Sequence, residues 1–186
     1  LDQIANSKIF YIEGYMVTSE ENYKVTLQAL EHLKNFPDVK VALSLSDPGI
    51  VMGFKDKFNH IESFGLDFIF GNDDEAMAFT DTENTEEAFI KLQQKSYASI
   101  ITMGEAGSVV VTKNEIINSP NVNIDPVDTN GAGDMFAGAF LYAVTAGRDF
   151  KWAAELANES AARVVGQFGP RLDAIEFDSI KQAFGI

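Results

Sequence analysis

The sequence of 186 residues contains no cysteine, two histidines and a single tryptophan. Without cysteine, neither a disulfide framework nor a thiolate metal site can form. The two histidines, His32 and His60, stand far apart in segments with helical patterns, and isolated imidazoles supply too few ligands for a metal ion. We therefore assign both histidines to solvated or packing roles.

Positive charge is also scarce. The sequence has 14 Lys and Arg residues against 28 Asp and Glu residues, a formal net charge of −14, and no Lys/Arg-rich cluster offsets the excess. Such a charge repels the phosphate backbone of a nucleic acid, so we expect no nucleic-acid partner. A small phosphate ligand is still allowed, because backbone N–H groups bind phosphate without positive side chains.

No apolar run approaches the roughly 18 residues of a membrane span, and the opening "LDQIANSKIF" has no signal-peptide pattern. We expect a cytoplasmic protein without membrane partners. The hydrophobic fraction of 46% and charged fraction of 23% are typical of a globular chain. Because the sequence begins without methionine and enters an apolar segment almost at once, we also expect it to start inside a larger fold.

Strand-like and helix-like patterns alternate along the chain. Strands are predicted within 7–17, ending near Gly14, and at 39–46, 66–72 and 97–104, with a hairpin turning at Lys113 and Asn114. Helices are predicted at 19–36, 55–64, 73–80, 85–96, 131–146, 151–165 and 176–184. This alternation predicts one α/β domain over residues 1–186, with three αβα layers and a mostly parallel central sheet.

In such sheets ligands bind beyond the carboxyl ends of the strands, which directs attention to residues 71–75, 102–107 and 128–134. The stretch "VDTNGAGDMF" (127–136) contains the last of these loops. Gly131, Ala132 and Gly133 bring almost no side chain, and their N–H groups precede a helix, so together with the helix dipole they form an anion hole. Asp134 in the first helical turn is open to two interpretations, a helix cap or a base. The anion hole beside it favours a base that takes a proton from an attacking hydroxyl.

The apolar stripe behind this loop comprises Phe136, Phe140, Ala143 and Val144, and it predicts a core-facing helix. Gly138 in the same helix is expected to permit close packing.

The heptad "DTNGAGD" (128–134) resembles the signature of the ribokinase-like, or pfkB, family of sugar and nucleoside kinases. With "FGNDDEA" (70–76) and "QFGPR" (167–171), its Asn130 variant is similar to the adenosine-kinase branch. The resemblance covers the chain from its first strand to its last helix. It implies an enzyme that uses ATP to phosphorylate a hydroxymethyl group of a nucleoside such as adenosine, or of a furanose sugar.

The resemblance also implies roles for individual residues. Asp134 is the base that deprotonates the acceptor hydroxyl, and the amides of Gly131, Ala132 and Gly133 stabilise charge on the transferring phosphoryl group. Asn72 and Glu75 organise Mg²⁺, its waters and phosphate. The residues implied for the nucleotide pocket are Thr102, Gly104 and Gly107 along ribose and phosphate, and Asn158 and Ala162, with Ala161, along adenine.

Asp128, the carbonyl of Asn130 and carbonyls near Val164, Gln167 and Gly169 correspond to a monovalent-cation site, K⁺ in several relatives. Simpler interpretations stay open for most of these residues: a helix cap for Asn72 and Glu75, an ordinary turn for 102–107, and packing for the face around Asn158. Arg171 is expected to reach phosphate or to form a surface ion pair.

Family members are longer at the amino end, and the segment that carries their acceptor site and lid has no counterpart here. We therefore expect the isolated chain to be nearly inactive and its exposed sheet edge to promote association, including homodimer formation. Two other hypotheses stay open: a non-catalytic nucleotide-binding or regulatory domain with a kinase fold, and a purely structural partner chain.

Overall fold

The computed structural model describes residues 2–186. Six strands form one sheet in the order β1 to β6, and β1–β2 and β2–β3 are parallel pairs. Their bounds are Ile9–Ile12 (β1), Lys40–Ser44 (β2), Leu66–Asn72 (β3), Ser96–Thr102 (β4), Ser108–Thr112 (β5) and Ile116–Ser119 (β6). Helices separate the first four strands, so the α/β prediction is confirmed.

The helices are Asp2–Ala5 (α1), Glu20–Leu33 (α2), Pro48–Gly53 (α3), Lys55–Glu62 (α4), Asp73–Thr80 (α5), Thr85–Leu92 (α6), Ala132–Thr145 (α7), Phe150–Val165 (α8) and Ala174–Phe184 (α9). Short 3-10 segments occupy Gly14–Thr18 and Gly104–Ala106. Across residues 2–186, no helix is both long enough and apolar enough to cross a bilayer.

The residues pack into two compact units. The first comprises the chain up to Ile101 together with Val111–Glu115, and the second comprises Thr102–Val110 together with Ile116–Ile186. The first unit therefore holds the 71–75 loop, and the second holds the 102–107 and 128–134 loops. That residues 1–186 act as one domain remains a prediction.

The first strand is shorter than predicted because Gly14 lies against the end of β2. Its N–H donates to Ser46 Oγ at 2.9 Å, and a Cβ placed on it would lie 2.6 Å from the carbonyl oxygens of Ser44 and Leu45. The chain therefore leaves β1 after Ile12 and continues as a 3-10 segment. Ser46 takes a left-handed conformation, with φ +70°, to complete this close crossing.

No helix is predicted at α3, where Asp47, Pro48 and Gly49 are residues that also occur commonly in turns. Asp47 accepts a hydrogen bond from the Ile50 amide at 2.9 Å and so caps the helix, and Pro48 occupies its first turn, where proline has no donor to lose. Asp47 and Pro48 therefore begin a helix of six residues.

Lysines fix the carboxyl end of α5. Lys55 Nζ donates to the carbonyls of Ala78 and Phe79, both at 2.7 Å, and to the Asp81 carboxylate at 2.9 Å. Lys91 Nζ donates to the Asp81 carbonyl at 3.1 Å and to that of the preceding residue at 2.8 Å. These bonds satisfy carbonyls that have no partner within the helix and place positive charge at the negative end of its dipole.

Helix α7 in the second unit buries Phe136, Phe140 and Ala143, as its apolar stripe predicts. Val144 is only half-buried. The expectation for Gly138 was wrong, because this residue is exposed and a Cβ placed on it would meet no atom within 4 Å.

Candidate functional site

The loop at residues 128–134 ends where α7 begins. Gly131 is the residue before the helix and has φ +80°, a conformation that strains any residue with a Cβ. The Ala132 amide donates to the Thr129 carbonyl at 3.3 Å. Within residues 2–186, the amides of Gly131, Gly133 and Asp134 have no protein acceptor. They are therefore free to bind a ligand at the positive end of the helix dipole.

Asp128 fastens this loop to the segment that follows α8. Its Oδ1 accepts from the Asn130 amide at 3.0 Å and its Oδ2 from the Gly169 amide at 3.1 Å. These two hydrogen bonds, that of Asn130 first, hold the pKa of the Asp128 carboxyl below its usual value. The carboxylate thus acts as a fixed negative link between two glycine-containing loops.

Pro170 supports the loop from the other side. A Cβ added to Gly131 would overlap the Pro170 ring and lie 2.8 Å from Pro170 Cα. The Val165 carbonyl at the end of α8 accepts from both the Val127 amide (2.8 Å) and the Asp128 amide (3.1 Å). The conformation that frees the amides of the loop is therefore imposed by its neighbours.

A cleft of about 400 Å³ lies on one side of the loop. Five of the residues predicted for nucleotide binding line it together with two residues of the loop: Thr102, Gly104, Gly107, Asn158, Ala162, Ala132 and Gly133. These positions span sixty residues of sequence, and the fold of the second unit brings them to one surface.

A second cleft of about 620 Å³ lies along the first turns of α7. Asp134 lines this cleft together with Gly138, Tyr142, Arg171 and Phe177. The Asp134 side chain is exposed, and within residues 2–186 it forms neither a hydrogen bond nor an ion pair. Adjacent residues therefore face different spaces, since Ala132 and Gly133 line the first cleft and Asp134 lines the second.

Two glycines shape the wall of the first cleft. Gly104 has φ +55° and Gly107 has φ +96°, and the Met103 amide donates to the Gly107 carbonyl at 2.8 Å to close the turn. A Cβ on Gly107 would overlap the Ser119 carbonyl oxygen and lie 2.5 Å from the Asn121 nitrogen. Glycine is therefore required at 107 because the chain leaving β6 crosses there.

Asn158 is buried, and its amide nitrogen is engaged within the protein. Nδ2 donates to the Ser119 carbonyl (3.1 Å), to Ser119 Oγ (3.0 Å) and to the Pro120 carbonyl (3.2 Å). Asn158 therefore fixes the segment after β6 at the edge of the cleft. Sequence reasoning missed this function because it depends on a contact between residues 39 positions apart. Its predicted contact with adenine stays a prediction.

Asn121 is a further cleft residue that sequence reasoning missed. Its Nδ2 donates to the Gly104 carbonyl at 3.3 Å, and its Oδ1 accepts from the Val122 amide at 2.9 Å. The dipeptide Pro120-Asn121 after a strand signals a turn. It does not indicate which loop that turn contacts.

In the first unit, Asn72 and Glu75 form a capping box at the start of α5. Asn72 Oδ1 accepts from the Glu75 amide at 2.8 Å, and Glu75 Oε2 accepts from the Asn72 amide at 3.0 Å. Asn72 Nδ2 also donates to Glu75 Oε1 at 3.1 Å. The capping interpretation of this pair is thus correct as a description of the geometry, and a role in metal binding would come in addition.

Glu75 is only 7% exposed, and this burial is the main reason that its pKa is raised. The Asn72 amide opposes the shift, while the charges of Asp47, Asp74 and Asp73 add to it. A nearby divalent cation would reverse this effect by favouring the ionised carboxylate.

The donor set suits Mg²⁺, because carboxylate and amide oxygens are the ligands that this ion prefers. No group of three or more His, Cys, Asp or Glu side chains in residues 2–186 is arranged to enclose a metal ion. Since Glu75 already uses both oxygens in the capping box, the pair fits an ion that keeps several of its waters.

The carbonyls predicted for a monovalent cation differ in their partners. The Val164 carbonyl accepts from the Gln167 amide at 3.3 Å. Within residues 2–186, the carbonyls of Asn130, Gln167 and Gly169 accept no hydrogen bond and remain available. The cation site itself stays a prediction.

Comparison with known proteins agrees with this geometry. The sequence model of pfkB family carbohydrate kinases matches residues 1–176. The adenosine kinase of Saccharomyces cerevisiae is 31% identical over 184 residues, covering 91% of this chain and 52% of that protein. The chain therefore spans about half the length of the curated relatives it matches.

Two solved structures are similar over nearly all of the chain. The probable sugar kinase protein from Rhizobium etli CFN 42 has a TM-score of 0.93 and 30% identity, covering 100% of this chain and 56% of that one. The adenosine kinase from Sinorhizobium meliloti has a TM-score of 0.92 and 32% identity, covering 98% of this chain and 56% of that one. The ribokinase-like architecture is thus confirmed, and the chain belongs to the pfkB family of carbohydrate kinases.

Proposed function

We propose that the chain is the ATP-binding and catalytic part of a kinase that phosphorylates the hydroxymethyl group of a nucleoside such as adenosine, or of a furanose sugar. The observation that carries this proposal is the junction at residues 131–134. Ala132 and Gly133 line the first cleft, and the Gly133 amide has no protein acceptor. The next residue, Asp134, lines the second cleft with a carboxylate that has no partner within residues 2–186.

The reaction follows from this junction. With ATP in the first cleft and the acceptor in the second, Asp134 takes the proton of the acceptor hydroxyl. The hydroxyl oxygen then bonds to the γ-phosphorus, the bond from that phosphorus to the β-phosphate oxygen breaks, and ADP leaves. A positioned base contributes about 10²–10⁴ to the rate.

The amides of Gly131 and Gly133 supply the second contribution. Both amides lack a protein acceptor within residues 2–186, and Gly133 lines the first cleft, so they can donate to a phosphoryl group whose negative charge grows in the transition state. Contacts with Pro170 and Asp128 fix the loop before the reaction. Loss of one such donor costs roughly 2.7–4 kcal/mol.

Asn72 and Glu75 would hold Mg²⁺ through its waters, and the ion would neutralise charge on the phosphates of ATP. The available carbonyls of Asn130, Gln167 and Gly169, beside the Asp128 carboxylate, support a K⁺ site next to the loop. K⁺ would then strengthen nucleotide binding without contacting the acceptor.

We also propose a cytoplasmic location, where ATP is abundant. The order of the strands leaves β1 at an edge of the sheet. We propose that a strand of another chain, or of a second copy of this chain, pairs with β1.

The test is phosphoryl transfer by the full-length protein from ATP and Mg²⁺ to a panel of ribosides and furanoses, with Asp134→Asn as the variant. We expect transfer to at least one acceptor and its loss in the variant. Binding of ATP by calorimetry without transfer to any acceptor would instead establish the non-catalytic nucleotide-binding alternative. If the protein neither binds ATP nor transfers phosphate, the remaining hypothesis is a purely structural partner chain.

A further inference from the structure

The second cleft has an electrostatic problem that the proposed reaction must solve. The Asp134 carboxylate is negative, the chain carries a net charge of −14, and the phosphoryl group that arrives at the acceptor is an anion. Two like charges about 4 Å apart repel by about 1 kcal/mol in water, and by about 4 kcal/mol near a protein surface. A cation that lines this cleft would offset the repulsion from the acceptor side.

Two cationic side chains line this cleft, Arg171 and Lys181. Lys181 Nζ is paired with the Asp178 carboxylate at 3.0 Å. The Arg171 guanidinium has no hydrogen-bond or ion-pair partner within residues 2–186, so the surface ion pair expected from the sequence is not formed. Arg171 is thus the cation of this cleft that is available to a ligand.

The backbone of Arg171 is tied to the loop that carries Asp134. Gln167 Nε2 donates to the Arg171 carbonyl at 2.6 Å. Within the same short segment, Gly169 donates to the Asp128 carboxylate and Pro170 packs against Gly131. Contacts of Gln167, Gly169 and Pro170 therefore fix the origin of the Arg171 side chain relative to the free amides.

We propose that Arg171 binds the phosphoryl group from the acceptor side, during transfer and in the phosphorylated product; this proposal rests on the proposed function. Guanidinium presents parallel N–H donors that match two phosphate oxygens and keeps its charge at every relevant pH. The free amide of Gly133, which lines the first cleft, holds the group from the nucleotide side. Arg171 then offsets the repulsion from Asp134 and makes the cleft selective for a product that carries phosphate.

The experiment compares Arg171→Ala and Arg171→Lys in the full-length protein, with Arg148→Ala as the matched control. Arg148 is exposed, its guanidinium stacks on the Trp152 ring at 4.6 Å, and it lines neither cleft. We expect Arg171→Ala to lower kcat by about 10²–10³ with little change in KM for the acceptor. Arg171→Lys should recover part of the loss, and added guanidinium should raise kcat of Arg171→Ala alone.

Product affinity gives a second measurement that is independent of turnover. Calorimetry with the best acceptor and with its phosphate monoester should show that Arg171→Ala weakens binding of the monoester at least tenfold and leaves binding of the acceptor unchanged. Equal weakening of both ligands, or a kcat equal to that of Arg148→Ala, would overturn the inference.

The outcome also separates this inference from the proposed function. An inactive Asp134→Asn beside a fully active Arg171→Ala overturns the role of Arg171 alone. Full activity of Asp134→Asn overturns the proposed function itself.

Discussion

Replacing Gly131 by alanine tests whether the loop is held in a conformation that only glycine can adopt. The left-handed backbone at φ +80° costs a residue with a Cβ about 1–2 kcal/mol. The new methyl group would also overlap the Pro170 ring, and overpacking of this kind costs about 1–3 kcal/mol. The free energy of unfolding should therefore fall by about 2–5 kcal/mol, a large part of the total stability of a typical domain.

Urea denaturation followed by Trp152 fluorescence measures this loss. Trp152 is the single tryptophan and lies in the same compact unit as Gly131. The matched control is Gly138→Ala in the same segment of chain, where the added methyl group meets nothing within 4 Å. Because alanine is the better helix former, the control should gain about 0.5–1 kcal/mol. Equal unfolding midpoints for the two variants would refute the reasoning.

Two further predictions concern helix α5. Lys55→Met should lower the free energy of unfolding by about 2 kcal/mol, because the carbonyls of the last turn of α5 lose a charged donor that is only 22% exposed. The control Lys24→Met, on the exposed face of α2, should change the free energy of unfolding by less than about 0.5 kcal/mol. Chemical denaturation measures both variants, and equal losses would contradict the role of Lys55. The second prediction concerns Glu75, whose pKa is raised by burial above its ordinary value of 4.5. The folded state therefore holds the proton of this carboxyl more tightly than the unfolded state, which adds to the free energy of unfolding. This contribution is complete below pH 4.5 and is lost as the pH rises through the raised pKa. The stability of the wild type relative to Glu75→Gln should therefore fall as the pH rises above 4.5 in a series of urea titrations, and a constant or rising difference would show that burial does not control this carboxyl.

The sequence was informative where local chemistry decides the structure. Helix α5 has the predicted bounds of Asp73–Thr80 because Asn72 and Glu75 close a capping box within four residues. Strand β3, Leu66–Asn72, also has its predicted bounds. The nucleotide-binding residues implied by the family resemblance converge on one cleft, apart from Asn72 in the other unit.

The sequence was less informative where a distant contact decides the structure. The end of β1 depends on Ser46, which is 32 residues away from Gly14. The function of Asp128 as a link depends on Gly169, 41 residues away, and nothing in the loop itself indicates this partner. The expectation that Gly138 permits close packing was wrong. The sequence around a glycine in an apolar helix is the same whether or not another helix packs against that glycine.

The most direct test of the account is a single-turnover measurement on the full-length protein, with ATP bound and the preferred acceptor added. Asp134→Asn is compared with Asp125→Asn, a control in which the acid is exposed and lines neither cleft. The account predicts that both variants bind ATP as the wild type does, and that only Asp134→Asn slows phosphoryl transfer, by about 10²–10⁴. Transfer by Asp134→Asn at the rate of Asp125→Asn would contradict the claim that the carboxylate at the start of α7 accepts the proton.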